Sequence, residues 1–169
     1  MSNTENLNNK EAIDKLKSLV DNIKICLFCT DLKTDDGATC CPMTAIKVCD
    51  HGNVWFFSEM NSDKNKAIST DKHVQLFFSH PGKDSYLVVN GEASISFDQM
   101  LIEELWSPVA NIWFKDGKDD PNISILKVKP TTAYYWDTDG NRMINLLKMF
   151  ASVVTGSNLV TGKEGALAI

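Results

Sequence analysis

"TCCPMTAIKVCDHGNVWFFSE", residues 39–59, decides how this chain folds. Two runs suited to strands, 39–49 and 53–59, flank Asp50, His51 and Gly52, and a short polar triplet ending in glycine between such runs reads as a hairpin turn. The second run places three aromatics, Trp55, Phe56 and Phe57, side by side, a composition favoured on a pleated surface. A β-meander begins here, and the question is how far it extends.

Upstream, "NNKEAIDKLKSLVDNI" (8–23) repeats apolar residues at three- and four-residue spacing through Ala12, Ile13, Leu16, Leu19, Val20 and Ile23. That spacing predicts an amphipathic helix, with Asn8 or Asn9 as its cap. "KICLFCT" (24–30) follows as a short apolar strand. Downstream, "SDKNKAIS" (62–69) gives one or two helical turns capped by Ser62. "HVQLFFS" (73–79) and "SYLVVNGEASISF" (85–97) are strands, the second with Gly91 as a bulge or bend. "DQMLIEELW" (98–106) is a helix capped by Asp98, 123–139 is two strands broken at Pro130, and "NRMINLLKMFASVV" (141–154) is a closing helix.

Six or seven strands joined mostly by tight turns, without regular crossover helices, predict a mainly β, α+β chain forming a small antiparallel barrel with peripheral helices. Residues 1–155 are expected to form one domain including the N-terminal helix. Residues 156–169 show no sustained period and are expected to be a loosely ordered tail.

A length of 169 residues, 43% hydrophobic and 23% charged, suits one globular domain. The net charge of −5 argues against a nucleic-acid footprint, which needs a basic face. No apolar run approaches the roughly 20 residues that span a bilayer, so no membrane partner is expected. Without a signal-peptide pattern at the N-terminus, a cytoplasmic location is expected.

Five cysteines in a reducing compartment predict no disulfide framework. Cys26 and Cys29 have metal-ligand spacing, but residues three apart on a strand face opposite ways, as do Cys40 and Cys41. No metal site is therefore expected, and these cysteines, with Cys49, read as small apolar side chains. Arg142 is the only arginine, so an anionic ligand would fall to lysines, hydroxyls and backbone N–H groups.

One stretch carries chemistry. In "VWFFSEMNSDKNKAI" (54–68) an aromatic strand ends at Ser58 and leads to Ser62 and Lys64 at a helix start, where backbone N–H groups, the helix dipole and an ammonium together suit a phosphate. The same pattern also fits a core strand followed by a capped surface turn with solvated lysines, and Asp63 sets a competing anion in that turn.

The order of "CPMT" (41–44), "GNVWFFSEMNSDK" (52–64), "VQLFFSHPGKDSYLVVNGEASI" (74–95), "ELWSPVANIWFKDGKDDPNISILKVKP" (104–130) and "AYYWD" (133–137) resembles the pyridoxamine 5'-phosphate oxidase-like split barrels, and within them the general stress protein 26 group. The resemblance implies a six-stranded antiparallel split barrel that binds flavin mononucleotide (FMN) and forms homodimers with the cofactor sites at the interface. It implies that Cys41, Pro42, Met43 and Thr44 lie at the flavin, that Phe57 and Ser58 line it, and that Ser62 and Lys64 hold its phosphate. Trp113 and Trp136 would close the site, from the same or the partner subunit; aromatic core packing is the other reading of both.

One departure bears on affinity. Cys41 stands where the group has an arginine directed at the flavin phosphate. A charged hydrogen bond of about 1.5–3 kcal/mol is then absent, which weakens FMN binding roughly ten- to a hundredfold. The implied function is that of a flavoprotein oxidoreductase with an unidentified substrate or electron donor. The alternative is a non-enzymatic stress-related dimer that has lost its flavin, or that holds a deazaflavin or tetrapyrrole instead. Pyridoxamine 5'-phosphate oxidation itself is not expected, because the last residues lack the family's substrate-binding arginine and histidine.

Overall fold

The computed structural model describes residues 3–4, 7–137 and 163–168. The closing helix expected over 141–154, and Arg142 with it, lie outside the described residues.

The N-terminal periodicity becomes helix α1 (Asn9–Ile23), which buries Ala12, Leu16, Leu19 and Val20, the stripe its spacing predicts. The first long strands are β3 (Ile25–Thr30) and β4 (Thr39–Thr44), after two-residue strands β1 (Asn3–Thr4) and β2 (Leu7–Asn8). The stretch read as one strand over 39–49 divides. β4 pairs antiparallel with β3, whereas β5 (Lys47–Val48) pairs with β6 (Val54–Glu59). The hairpin at Asp50, His51 and Gly52 closes through Cys49 N–H to Asn53 O at 3.0 Å and Gly52 N–H to Cys49 O at 2.9 Å, with Gly52 at φ 80°.

Helix α2 (Asp63–Thr70) is capped by Ser62, whose hydroxyl accepts from Asn65 N–H, and α3 (Gln99–Leu105) by Asp98, which accepts from Met100 N–H. The strands β7 (His73–His80), β8 (Ser85–Ser96), β9 (Ile123–Asp137) and β10 (Lys163–Ala168) complete the sheet. Its main path runs β1-β10-β9-β8-β7-β3-β4, with β6 on the other edge of β9. Because β5 continues from β4 and pairs with β6, the sheet curls back on itself, while β4 and β6 part from one another. This is a split barrel with peripheral helices.

Three differences from the sequence reading have physical causes. Residues 123–137 form one strand, not two broken at Pro130. The β8–β9 register shifts at Asn90/Gly91, where Gly91 meets Pro130, so the proline sits at a bulge and its missing donor breaks no ladder bond. Seven strands reach six residues or more among the described residues, rather than six. The seventh is β10, from the tail expected to be loosely ordered. "KEGALA" pairs with Ala133–Asp137 of β9 and buries Leu167 in the main core.

The third difference is a disulfide. Cys29 and Cys40 are joined, with Cα atoms 4.1 Å apart. They face each other in the β3–β4 register, and a direct cross-strand pair brings two sulfurs within bonding reach. The strand argument itself stands: Cys26 pairs with Met43 and Cys41 with Phe28 on the opposite face.

The main core fills the barrel between α1 and the sheet, with Phe28 and Phe56 edge to face at 5.3 Å. A second core, around Ile102, Leu105, Phe114 and Ile125, seats α3 against the outer side of β6 and β9. Among the described residues no helix is long and apolar enough to cross a membrane.

Two predictions follow from this frame. A Cβ on Gly91 would lie 2.5 Å from the carbonyl oxygen of Lys129. Gly91→Ala is therefore expected to destabilise the protein by about 1–3 kcal/mol through forced repacking, read from the midpoint of urea unfolding. The Cys29–Cys40 bond spans a sequence separation of 11. Reduction, or replacement of both by serine, is expected to lower stability by about 2–3 kcal/mol through the freed unfolded chain, with unfolding of oxidised and reduced protein compared side by side.

Candidate functional site

Where β4 and β6 part, a cavity of about 480 Å³ opens, within the range of small-molecule sites. Its walls come from five segments of the chain. Cys41, Pro42, Met43 and Thr44 of β4 form one side, with Ile25 of β3 at the edge. Phe57, Ser58 and Glu59 from the end of β6 form the other, and the turn into α2 contributes Ser62 and Lys64. Trp113 and Phe114, in the segment between α3 and β9, complete it.

The strand period explains the β6 wall. Val54, Phe56 and Ser58 are buried on the barrel side, while Trp55 and Phe57 turn outward to the second core. Phe57 is fixed between Trp106, at 5.4 Å between ring centroids, and Phe114, at 6.2 Å. Both contacts are edge-on, an arrangement aromatic pairs favour. The cavity therefore has an aromatic and aliphatic side built on two cores.

The other end is polar. Lys64 Nζ donates to Ser58 Oγ at 2.9 Å and to Ser62 Oγ at 3.4 Å, and the two hydroxyls lie 3.3 Å apart. In the first turn of α2, Asn65 N–H is taken by Ser62 Oγ at 3.3 Å, while the N–H groups of Asp63 and Lys64 have no partner inside the helix. Asp63, the competing anion of the sequence reading, is exposed and bonds Lys66 at 2.8 Å. That bond holds its carboxyl below the ordinary carboxylate range. One ammonium, the Ser62 hydroxyl and a helix N-terminus can together hold an anionic group, with Ser58 Oγ accepting from the ammonium.

On the β4 side, burial pushes the Cys26 thiol up to about 12, with nearby Cys41 adding to the shift. Cys26 is thereby an inert core side chain, and Cys41 is half-buried at the cavity wall. Among the described residues no cluster of three or more His, Cys, Asp or Glu is arranged to hold a metal ion.

The structure brings nine of the ten residues singled out from the sequence around one cavity: Cys41, Pro42, Met43, Thr44, Phe57, Ser58, Ser62, Lys64 and Trp113. Trp136 is not among them. It lies near the end of β9, paired with Tyr86 and edge-on to Tyr134 at 4.7 Å between ring centroids, on the outer face of the sheet. A strand neighbour of buried Tyr135 must face away from the core, and that alternation excludes Trp136 from the cavity of its own chain. The sequence reading missed Ile25, Glu59 and Phe114. Glu59 and Phe114 each follow a residue it named and carried a detectable signal in that adjacency; Ile25 reaches the cavity only through the β3–β4 register.

The sequence pattern of the family described as pyridoxamine 5'-phosphate oxidase like matches residues 11–159. General stress protein 26 of Bacillus subtilis is 32% identical over 85 residues, which are 47% of this chain and 60% of that protein. Among solved structures, a Jannaschia sp. CCS1 protein described as a general stress protein 26 superposes with a TM-score of 0.78 at 20% identity, over 95% of this chain and 99% of that one. The general stress FMN/FAD binding protein of Xanthomonas citri superposes with a TM-score of 0.65 at 26% identity, over 78% of this chain and 92% of its own. With the split barrel and the extent of the sequence match in agreement, the chain belongs to the pyridoxamine 5'-phosphate oxidase-like family, in the company of general stress protein 26 relatives.

Proposed function

We propose that this protein binds FMN in the cavity between β4 and β6 and works as a cytoplasmic homodimer that exchanges electrons with an unidentified small-molecule or protein partner. The observation that carries the reading is the polarity of the cavity. The Lys64 ammonium and the Ser58 and Ser62 hydroxyls, held together by hydrogen bonds, share the lining with Met43, Phe57 and Phe114. That combination suits a flat aromatic ring ending in a phosphate. The X. citri relative, an FMN/FAD binding protein by name, supports the choice of flavin.

The residues present fit the group. Ser62 and Lys64 would hold the phosphate, Thr44 and the β4 backbone would meet the polar edge of the ring, and Met43 and Phe57 would pack against its faces. When bound, the flavin supplies the electron and hydride transfer. The chain's own residues orient it, exclude water from one side and balance its phosphate charge.

A second copy of the chain is the proposed cover for the outer face of the sheet. Leu27 pairs with Phe77, Phe77 with Val88 and Tyr86 with Trp136 across β3, β7, β8 and β9. Leu27 is 49% exposed, Phe77 38% and Trp136 41%. This apolar stripe runs to Ile25, which is 58% exposed and also lines the cavity. An interface there would shield the cavity rim and set Trp136 against the other subunit. Light scattering is expected to give the mass of a dimer, and Leu27→Glu, which puts a charge at the centre of the stripe, a monomer with weakened FMN binding.

The alternative, a dimer without flavin, is favoured by Cys41. It stands at the cavity wall where an arginine would add a bidentate phosphate contact, and no arginine occurs among the described residues. The visible spectrum with and without added FMN separates the two. Flavin bands are expected, with Lys64→Ala weakening binding about tenfold or more and Cys41→Arg tightening it. No bands and no binding at tens of micromolar would leave the flavin-free dimer.

A further inference from the structure

We infer that Asn65 is a positioning residue for the phosphate end of the cavity, acting through Ser58 and Lys64 without reaching the ligand. The inference rests on the phosphate reading above and assigns a residue outside the cavity wall.

Asn65 is 3% exposed, Ser58 3% and Ser124 0%. They form a closed chain of hydrogen bonds whose proton directions are fixed from one end. Ser124 Oγ donates its single proton to the Ser58 carbonyl at 2.9 Å. It can then only accept from Asn65, at 2.9 Å, so the amide nitrogen faces Ser124. The same nitrogen donates to the Met60 carbonyl at 3.2 Å, a group that only accepts, which fixes the amide orientation a second time. Asn65 Oδ1 must therefore face Ser58, and Ser58 Oγ donates to it at 2.9 Å.

The consequence falls on Ser58. Its proton is committed inward, so toward the cavity its oxygen is an acceptor, and Lys64 Nζ donates to that oxygen at 2.9 Å. Ser58 thereby holds the lysine in place and is not itself a donor to phosphate. The ligand-facing donors are the remaining Lys64 protons, the Ser62 hydroxyl and the helix N-terminus. Without the amide, the Ser58 proton is free to turn toward Lys64, and donor would then face donor at the spot where the ammonium is anchored.

FMN and riboflavin share a ring and differ by the phosphate, so the ratio of their dissociation constants, measured by titration, isolates this end of the cavity. Asn65→Leu is expected to cut the preference for FMN about tenfold or more, with riboflavin affinity held within about twofold. Ser58→Ala is expected to lower the same ratio, whatever its effect on riboflavin affinity, and adding Asn65→Leu to it to change the ratio no further. Equal losses for both ligands, an unchanged ratio, or a further loss in the Ser58→Ala background would each overturn the inference. In the unsubstituted protein, the Ser58 hydroxyl proton is expected as a slowly exchanging NMR signal in contact with the Asn65 amide. Fast exchange with water would overturn the inference whether or not the variants fold. Wild-type protein that binds FMN and riboflavin alike would overturn the phosphate reading itself, and this inference with it; a wild-type preference that survives Asn65→Leu overturns the inference alone.

Discussion

The close approach of Gly91 to the backbone of Lys129 governs the architecture. There β8 and β9 shift register by a bulge and continue, so that β9 runs unbroken for 15 residues. A strand of that length serves different partners along its free edge. Residues Ile123–Val128 pair with β6, and Ala133–Asp137 with β10. The barrel and its flared extension thus share one strand, and β6 is held by its β9 edge while its end stands clear of β4. That clearance is the cavity.

The same ladder builds the polar end of the site. Ser58 and Ser124 are direct partners in the β6–β9 register, and α2 lays Asn65 over both. A slip of one residue would turn Ser58 to the outer face and bring Phe57 into the barrel. The register that closes the barrel is therefore also what sets a hydroxyl beside Lys64.

Much of this was legible in the sequence because it is local. The α1 stripe, the Ser62 and Asp98 caps, the hairpin at Gly52 and the bulge at Gly91 each depend on residues a few positions apart. What was missed depends on long-range pairing. Cys29 and Cys40 look unrelated until β3 and β4 are set in register. "KEGALA" has too few apolar residues to announce a strand, and β9 offers it an edge that no local pattern reveals. The alternation on β9 sends Trp136 to the outer face, outside the cavity of its own chain, which its place in the sequence does not show. Asn65 carries no local signal of its place in the network, since its burial is a property of the assembled sheet.

The charge at the site shows why such a buried amide should matter in this chain. The carboxylate beside the helix N-terminus is drawn off by Lys66, and Cys41 lines the cavity wall where the family resemblance would place an arginine. Lys64 is left as the cation lining the cavity, with Glu59 on the same wall. A lysine is a flexible point charge without the fixed fork of a guanidinium, so its contribution depends on being held. Here the holding groups are neutral hydroxyls, and a hydroxyl accepts from an ammonium only while its own proton points away from it. The buried network from Ser124 through Asn65 to Ser58 meets that condition, turning the Ser58 proton inward and its oxygen toward Lys64.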